Sequence, residues 1–398
     1  MSSLKTIKID ELVPGMYVNE IIEQSGAIKI KSQGRVTRLE VVDTLRKRGV
    51  KRLTIDLDKQ FTPEQPAEIV AETAPVDVAI LEQEETVSFS KELVRAENIH
   101  KKGKRIQKRL LEAVQNGLPF DDKIPREFSQ SLVSSIHRNP DALLCLTKIR
   151  EKDDYLLEHS LNVAILLANF GKFIGMSAKE VEDLAYAGFL HDMGKIRIPD
   201  EILHKPGRLT NMEMNVMKDH VYFGVTVLEE MNIAPHLIRT VSEHHERLDG
   251  YGYPNGSRGE QISRAGRMLA IADVYDALTA DRCYKAGMSS QKALQILLGE
   301  TPDKLDKELV QLFIKCMGIY PVGSLVKLSN DRIAMVVQQT QSPLAPVVKA
   351  FYSLRGGHFL EPKDFDLSSG TELKIERAVL AKDYKINFNA YFEKIIAT

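Results

Sequence analysis

HSLNVAILLANFGKFIGMSAKEVEDLAYAGFLHDMGK, His159 to Lys195, decides the fold. From Asp154 to Gly175 apolar residues cover nearly the whole helical surface, which predicts a helix central to a bundle and closed by Gly175. Ser177 and Glu180 form a Ser-x-x-Glu capping box that opens a second helix running to His191-Asp192. Thr210 and Glu213 repeat the box ahead of one helix, NMEMNVMKDHVYFGVTVLEEM, whose methionines 212, 214 and 217 read as core filler. Pro235 suits the first turn of HLIRTVSEHHE, and Ser263 caps RAGRMLAIADVYDALTA. Further upstream, PREFSQSLVSSIHRNPDALLCLTKIR predicts two short helices parted at Asn139-Pro140. The chain reads as mainly α.

This helical region carries a density of ligand-type side chains that core packing does not explain. Seven of the ten histidines (159, 191, 204, 220, 236, 244 and 245) fall in it. Adjacent polar pairs such as His191-Asp192 and His244-His245 inside apolar helices bury groups that need partners. A metal supplies one. His159, His191, Asp192, His220, His244, His245 and Asp273 make seven candidate ligands, spread over five helices. That is too many for one tetrahedral ion with an open position. It suits two ions sharing a carboxylate, with Asp192 able to bridge through its two oxygens. Two ions about 3.5–4 Å apart are a common device for phosphoryl hydrolysis. Imidazole with carboxylate suits transition metals: Fe or Mn first, Ni or Zn as alternatives.

The rest of the chain frames this centre. At 398 residues it is long enough for several domains. A net charge of −1 gives no field for nucleic acid or an anionic membrane. The basic run HKKGKRIQKR, residues 100–109, reads as a solvated helix face. Its long helix also suits a dimerisation stalk. Cys145, Cys283 and Cys316 have no CxxC spacing, which fits a reducing compartment. No signal peptide is read at the start, and no apolar run approaches the roughly 20 residues that span a bilayer. The expectation is a cytoplasmic protein. Residues 1–60 read as a small β-rich domain with strands at AIKIKS and KRLTIDL and one helix stopped at Gly49. Residues 61–90 hold no Lys or Arg and read as an acidic linker. Residues 91–145 read as a helical connector and 146–320 as the metal-binding domain. Residues 321–398 read as a β-rich extension with strands at GSLVKLS, RIAMVVQQT, PVVKAFYS and ELKIERAV, then a helix over KINFNAYFEKI.

HDMGK (His191–Lys195), HHERLDGYGYP (His244–Pro254) and IADVYDALTADRCYK (Ile271–Lys285) together resemble the HD-GYP family, metal-dependent phosphodiesterases of the HD superfamily that hydrolyse cyclic di-GMP. The β-rich start resembles a small domain of unknown function often found before HD-GYP domains. The resemblance implies an HD-type helical bundle and assigns the same seven residues as ligands, with Asp192 bridging. It implies that Lys195 contacts the scissile phosphate, and that Arg282 and Lys285 hold substrate phosphates. It implies hydrolysis to pGpG and GMP by a metal-bridging hydroxide. The Asp249–Pro254 loop would shape the pocket and can touch partner proteins. Tyr253 could stack on guanine or simply pack to hold the loop.

One departure bears on ion count. Some members place a glutamate four residues before the first histidine, where it helps hold a third ion; here that residue is Tyr155. Two ions are therefore expected rather than three. Asp276, one turn after Asp273, could orient a ligand or hold an extra ion. Two other readings stay open: a catalytically weak cyclic-dinucleotide receptor, and a hydrolase of a related dinucleotide such as cyclic GMP-AMP.

Overall fold

In the computed structural model, residues 4–25, 33–36, 39–59, 86–118, 120–148, 155–280, 287–384 and 386 are described. The chain divides into two compact units. One comprises Met1–Glu84, Lys108–Ile124 and Thr226–Ile233; the other comprises Glu85–Gln107, Pro125–Val225 and Ala234–Thr398.

The first unit contains β1 (Leu4–Lys8), β2 (Tyr17–Gln24), β3 (Gly34–Arg35), α1 (Leu39–Lys47) and β4 (Val50–Asp56). The strands form one antiparallel sheet in the order β1-β4-β2-β3, with Leu4 opposite Asp56 and Val18 opposite Ile55. Residues alternate in and out along β4, so Leu53 and Ile55 face inward. There they meet Val41, Val42 and Leu45 of α1 in a single apolar core. The strand expected at AIKIKS lies outside the described residues, as do residues 61–85 of the acidic stretch.

The second unit is mainly helical: α2 (Phe89–Gln115), α3 (Lys123–Arg138), α4 (Pro140–Leu146), α5 (Tyr155–Phe173), α6 (Ala178–Leu190), α7 (Asp200–Leu203), α8 (Asn211–Lys218), α9 (His220–Glu230), α10 (Pro235–Ser242), α11 (Arg264–Thr279), α12 (Ser290–Gly299) and α13 (Lys307–Met317), except that 108–115 of α2, 123–124 of α3 and 226–230 of α9 fall in the first unit. α2 starts at Phe89, two residues inside the stretch read as linker. The Ser88 carbonyl accepts from the Glu92 N–H at 3.0 Å, and the Glu92 carboxylate is held by Arg138 and Ser135.

α5 is the central helix because nearly every face is apolar. Leu161, Val163, Ile165, Leu167 and Phe170 are all fully buried. Each such side chain contributes roughly 1.5–3 kcal/mol. α6 packs along it, started by the expected capping box: Ser177 Oγ accepts from the Glu180 N–H, and Glu180 Oε2 accepts from the Ser177 N–H. Thr210 and Glu213 close the same box on α8.

Two expectations change here. The helix read as continuous over 211–231 breaks at Asp219, so His220 begins a new helix. Met212 and Met214 are not core filler. They are 81% and 41% exposed, because α8 lies on the surface with none of its residues buried.

After α13 come β5 (Leu325–Leu328), β6 (Arg332–Gln338), β7 (Val347–Ser353), β8 (His358–Asp366) and β9 (Ile375–Val379), an antiparallel sheet in the order β8-β7-β6-β5-β9. Its central strand β6 is buried along both faces, and Cys145 of α4 meets Met335 there, sulfur to sulfur at 3.9 Å. β8 carries no clear strand signal in the sequence. It is a mostly exposed edge strand, with charges and Pro362 that suit an unpaired edge. The C-terminal helix expected over 385–395 lies, apart from residue 386, outside the described residues. Among the described residues no helix is long and apolar enough to cross a membrane.

Candidate metal centre

Five places in the second unit bring polar side chains to one point. His159 lies in the first half of α5. His191 caps the C-terminus of α6, and Asp192 opens a one-turn 3-10 helix, Met193–Arg197. His220 is the first residue of α9. His244 and His245 were expected on a helix; they sit in the turn just after α10, which ends at Ser242. Asp273 lies within α11.

Gly194 lets two of these places meet. A Cβ there would stand 1.9 Å from the His220 carbonyl oxygen and 2.3 Å from the Gly224 nitrogen. Only a residue without a side chain allows the turn after Asp192 to rest on the first turn of α9.

The imidazoles are aimed by their Nδ1 atoms. In His191, His220 and His244, Nδ1 lies 2.8, 2.7 and 2.6 Å from the carbonyl three residues earlier: Gly188, Met217 and Val241. His159 Nδ1 lies 2.8 Å from Asp276 Oδ2. A carbonyl or carboxylate in those places fixes the proton on Nδ1 and leaves the Nε2 lone pair facing inward, the arrangement metal-ligating histidines use. Asp276 therefore orients His159.

The inward-facing atoms crowd together. His159 Nε2 is 3.0 Å from Asp273 Oδ1 and 3.5 Å from Asp192 Oδ2. His191 Nε2 is 3.3 Å from Asp192 Oδ2, and His220 Nε2 is 3.6 Å from Asp192 Oδ1. His245 Nδ1 is 3.8 Å from Asp273 Oδ2. His220 and His244 face each other Nε2 to Nε2 at 3.3 Å, lone pair toward lone pair.

Three groups each place donor atoms within 4.8 Å of one another: His159, His191 and Asp273; His191, Asp192 and His244; and His220, His244 and His245. His191 Nε2 and Asp192 Oδ1 are buried without a hydrogen-bond partner among the described residues. Buried orphans and opposed lone pairs are costly unless a cation lies between them. The donor set fits divalent metal.

The electrostatics of His244 and His245 agree. Burial, with the other imidazoles around it, holds His244 well below the ordinary histidine range, and burial takes His245 down to about 3. Neutral rings are the ligating form. Burial also works against a charge on His159, but Asp273 and Asp276 outweigh it and raise that ring to about 9. Burial opposes the Asp192 carboxylate as well; His191, Lys195 and His159 nonetheless keep it well below the usual carboxylate range.

Around the ligands, Lys195 Nζ lies 2.6 Å from Asp192 Oδ2. Tyr253 packs on His245 with ring centroids 4.7 Å apart and planes at 33°. Its loop is held by Glu246, whose carboxylate accepts from the Asn255 N–H at 2.7 Å and the Ser257 N–H at 3.0 Å. A Cβ at Gly252 would strike the Arg247 nitrogen at 2.4 Å, so the loop folds back directly onto the His-His-Glu turn. The clamp role of Glu246 was missed in the sequence, although its place beside His244-His245 was a signal. Arg282 and Lys285 lie outside the described residues, as does the side chain of Tyr155.

An HD-domain family profile matches residues 144–309, and a profile for a domain of unknown function matches residues 4–123. The cyclic di-GMP phosphodiesterase PA4108 of Pseudomonas aeruginosa is 33% identical over 363 residues, covering 88% of this chain and 86% of the relative. Two other relatives match over shorter stretches. The response regulator RpfG of Xanthomonas campestris, a cyclic di-GMP phosphodiesterase, is 41% identical over 161 residues, 40% of this chain and 42% of the relative. The 3'3'-cGAMP-specific phosphodiesterase 2 of Vibrio cholerae is 37% identical over 162 residues, 39% and 30%. Among solved structures, the HD-GYP-type protein Bd1817 of Bdellovibrio bacteriovorus aligns at 15% identity with a TM-score of 0.49, covering 78% of this chain and 98% of that one. The chain belongs to the HD-GYP family of HD-domain proteins, with the N-terminal domain of unknown function ahead of the HD domain.

Proposed function

We propose that this protein is a metal-dependent phosphodiesterase that hydrolyses cyclic di-GMP to pGpG and GMP. The observation that carries the reading is the convergence of His159, His191, Asp192, His220, His244, His245 and Asp273, with His191 Nε2 and Asp192 Oδ1 left as buried orphans. The near-full-length similarity to a cyclic di-GMP phosphodiesterase names the substrate.

Two ions are proposed, Fe or Mn. His159, His191 and Asp273 would hold one and His220, His244 and His245 the other, with Asp192 within reach of both groups. Divalent ions bound there supply Lewis-acid polarisation of the reacting phosphate and a water acidic enough to be nucleophilic at neutral pH. Asp276 and the three backbone carbonyls keep the imidazoles in their ligating tautomer. Lys195 donates to an oxygen of the reacting phosphate, swinging from Asp192 over one side-chain length. Glu246 and Gly252 hold the Tyr253 loop against the centre.

The surrounding assignments belong to the same reading. Residues 146–320 form the catalytic domain, 1–60 and 321–398 the flanking modules, and 91–145 a connector with a role in homodimer formation. The Asp249–Pro254 loop offers a surface to protein partners. The protein works in the cytoplasm, where Cys145 and Cys316 stay free thiols.

The test is turnover of cyclic di-GMP by Mn- or Fe-loaded protein, wild type against Asp192→Ala, with products separated by chromatography. The expected result is pGpG and GMP from wild type and a loss of at least about a hundredfold in the variant. Tight binding without product would favour a receptor instead. Preferential cleavage of cyclic GMP-AMP would move the substrate, a reading that the similarity to the Vibrio cholerae enzyme supports.

A further inference from the structure

Lys218 ends α8, and its Nζ lies 5.3 Å from the centroid of the Tyr253 ring. Tyr253 in turn packs on His245 at 4.7 Å. An ammonium group therefore stands one aromatic ring away from a residue of the metal centre. The charges on Lys195 and Lys205 are matched by Asp192 and Glu213, each at 2.6 Å. Lys218 makes no ion pair among the described residues. Its helix has no buried residue, so the side chain stands at an open rim rather than in the core.

We propose that Lys218, poised on Tyr253, binds the second, non-reacting phosphate of the cyclic dinucleotide. The inference rests on the cyclic-dinucleotide reading above. Such a substrate carries two phosphodiesters, each with one negative charge. The metal centre and Lys195 serve the one that is cleaved. The other lies across the macrocycle; the family resemblance assigns Arg282 and Lys285 to substrate phosphates, and Lys218 is a further cation for this one, outside the metal shell. A lysine over an aromatic face is held only weakly when exposed. It can turn to a phosphate oxygen, where a charge-assisted hydrogen bond is stronger. Tyr253 thus keeps the ammonium in place before substrate arrives and close to where it is needed. The bland role for Lys218, a last-turn cation complementing the dipole of α8, predicts no effect on substrate.

Steady-state kinetics on the Mn-loaded full chain test this with two substrates: cyclic di-GMP and bis(p-nitrophenyl) phosphate, which carries a single diester. Lys218→Gln should raise KM for cyclic di-GMP about tenfold or more with kcat changed less than about threefold. The loss in kcat/KM should be at least about fivefold greater for cyclic di-GMP than for the single diester. Lys218→Arg should recover most of the lost KM, and KM should depend less steeply on salt in Lys218→Gln than in wild type. Equal losses on both substrates, or an unchanged KM, would overturn the proposal. A wild-type protein that cleaves the single diester but not cyclic di-GMP removes the premise instead. That outcome is visible before any variant is made, and it overturns both readings.

Discussion

His159 is held between two carboxylates: Nδ1 donates to Asp276 Oδ2 at 2.8 Å, and Nε2 faces Asp273 Oδ1 at 3.0 Å. Asp276 is fully buried and three residues after Asp273 on α11, so one helix supplies both a candidate ligand and the group that aims another. Asp276→Ala should weaken metal binding by roughly 10–100-fold without changing the number of ions held at saturation. Competitive titration against a fluorescent chelator measures it. Unchanged affinity would mean that α5 packing alone fixes the ring.

Gly194 is in contact with the first turn of α9 through backbone alone. Gly194→Ala should push that turn away from Asp192 and cost about 1–3 kcal/mol of stability, as overpacking does. It should also displace His220, lowering metal content along with the urea midpoint. Loss of stability with full metal content would separate packing from site geometry.

Buried Glu92 pairs with partly buried Arg138, Nε to Oε2 at 2.9 Å and Nη2 to Oε1 at 2.8 Å, with Ser135 Oγ donating to Oε1 at 2.7 Å. Burial works against the Glu92 charge, but Arg138 and Ser135 prevail and hold its carboxyl below the usual range. Arg138→Met should cost about 1–3 kcal/mol at neutral pH, because it removes two charge-assisted hydrogen bonds from a buried carboxylate that keeps only Ser135 and, at 3.5 Å, Arg95. A depressed folded pKa stabilises above the unfolded value of about 4.3 and stops doing so as pH falls through the folded one. The gap between wild type and Arg138→Met in denaturant unfolding should therefore narrow below about pH 4.

Asp141 shows the opposite sign. Burial outweighs the Gln339 N–H and the charge of Lys172, and raises its carboxyl to about 7. The folded protein then binds a proton that the unfolded chain releases, so stability falls as pH rises from about 4 to about 7. Asp141→Asn should be nearly neutral at pH 4 and stabilise by ~2–4 kcal/mol at pH 8. Unfolding curves at the two pH values decide it; equal effects at both would contradict the raised value.

The side chains that meet at the centre were legible because histidines and carboxylates crowd one apolar stretch of sequence, although four of them, His191, Asp192, His244 and His245, sit just beyond helix ends. Caps were legible for a similar reason: Ser177 with Glu180, and Thr210 with Glu213, are local signals, and both boxes are closed in the structure. What escaped depends on distant contacts. Nothing near Asp219 says that the helix breaks there, and Met212 and Met214 look like core until α8 is seen to have no layer over it. β8 pairs with β7 on one side only, so half its pattern is free to be charged. Gly194 and Glu246 act on segments far along the chain or on backbone N–H groups, and neither leaves a periodic trace.

Metal stoichiometry tests the central claim most directly. Protein purified anaerobically with Fe or Mn, then analysed by plasma mass spectrometry, should hold about two ions per chain. Asp192→Ala should hold fewer than about one, since both groups of ligands lose their shared carboxylate. A wild-type protein that takes up no ion under these conditions, or an Asp192→Ala variant that keeps the full complement, would contradict the account.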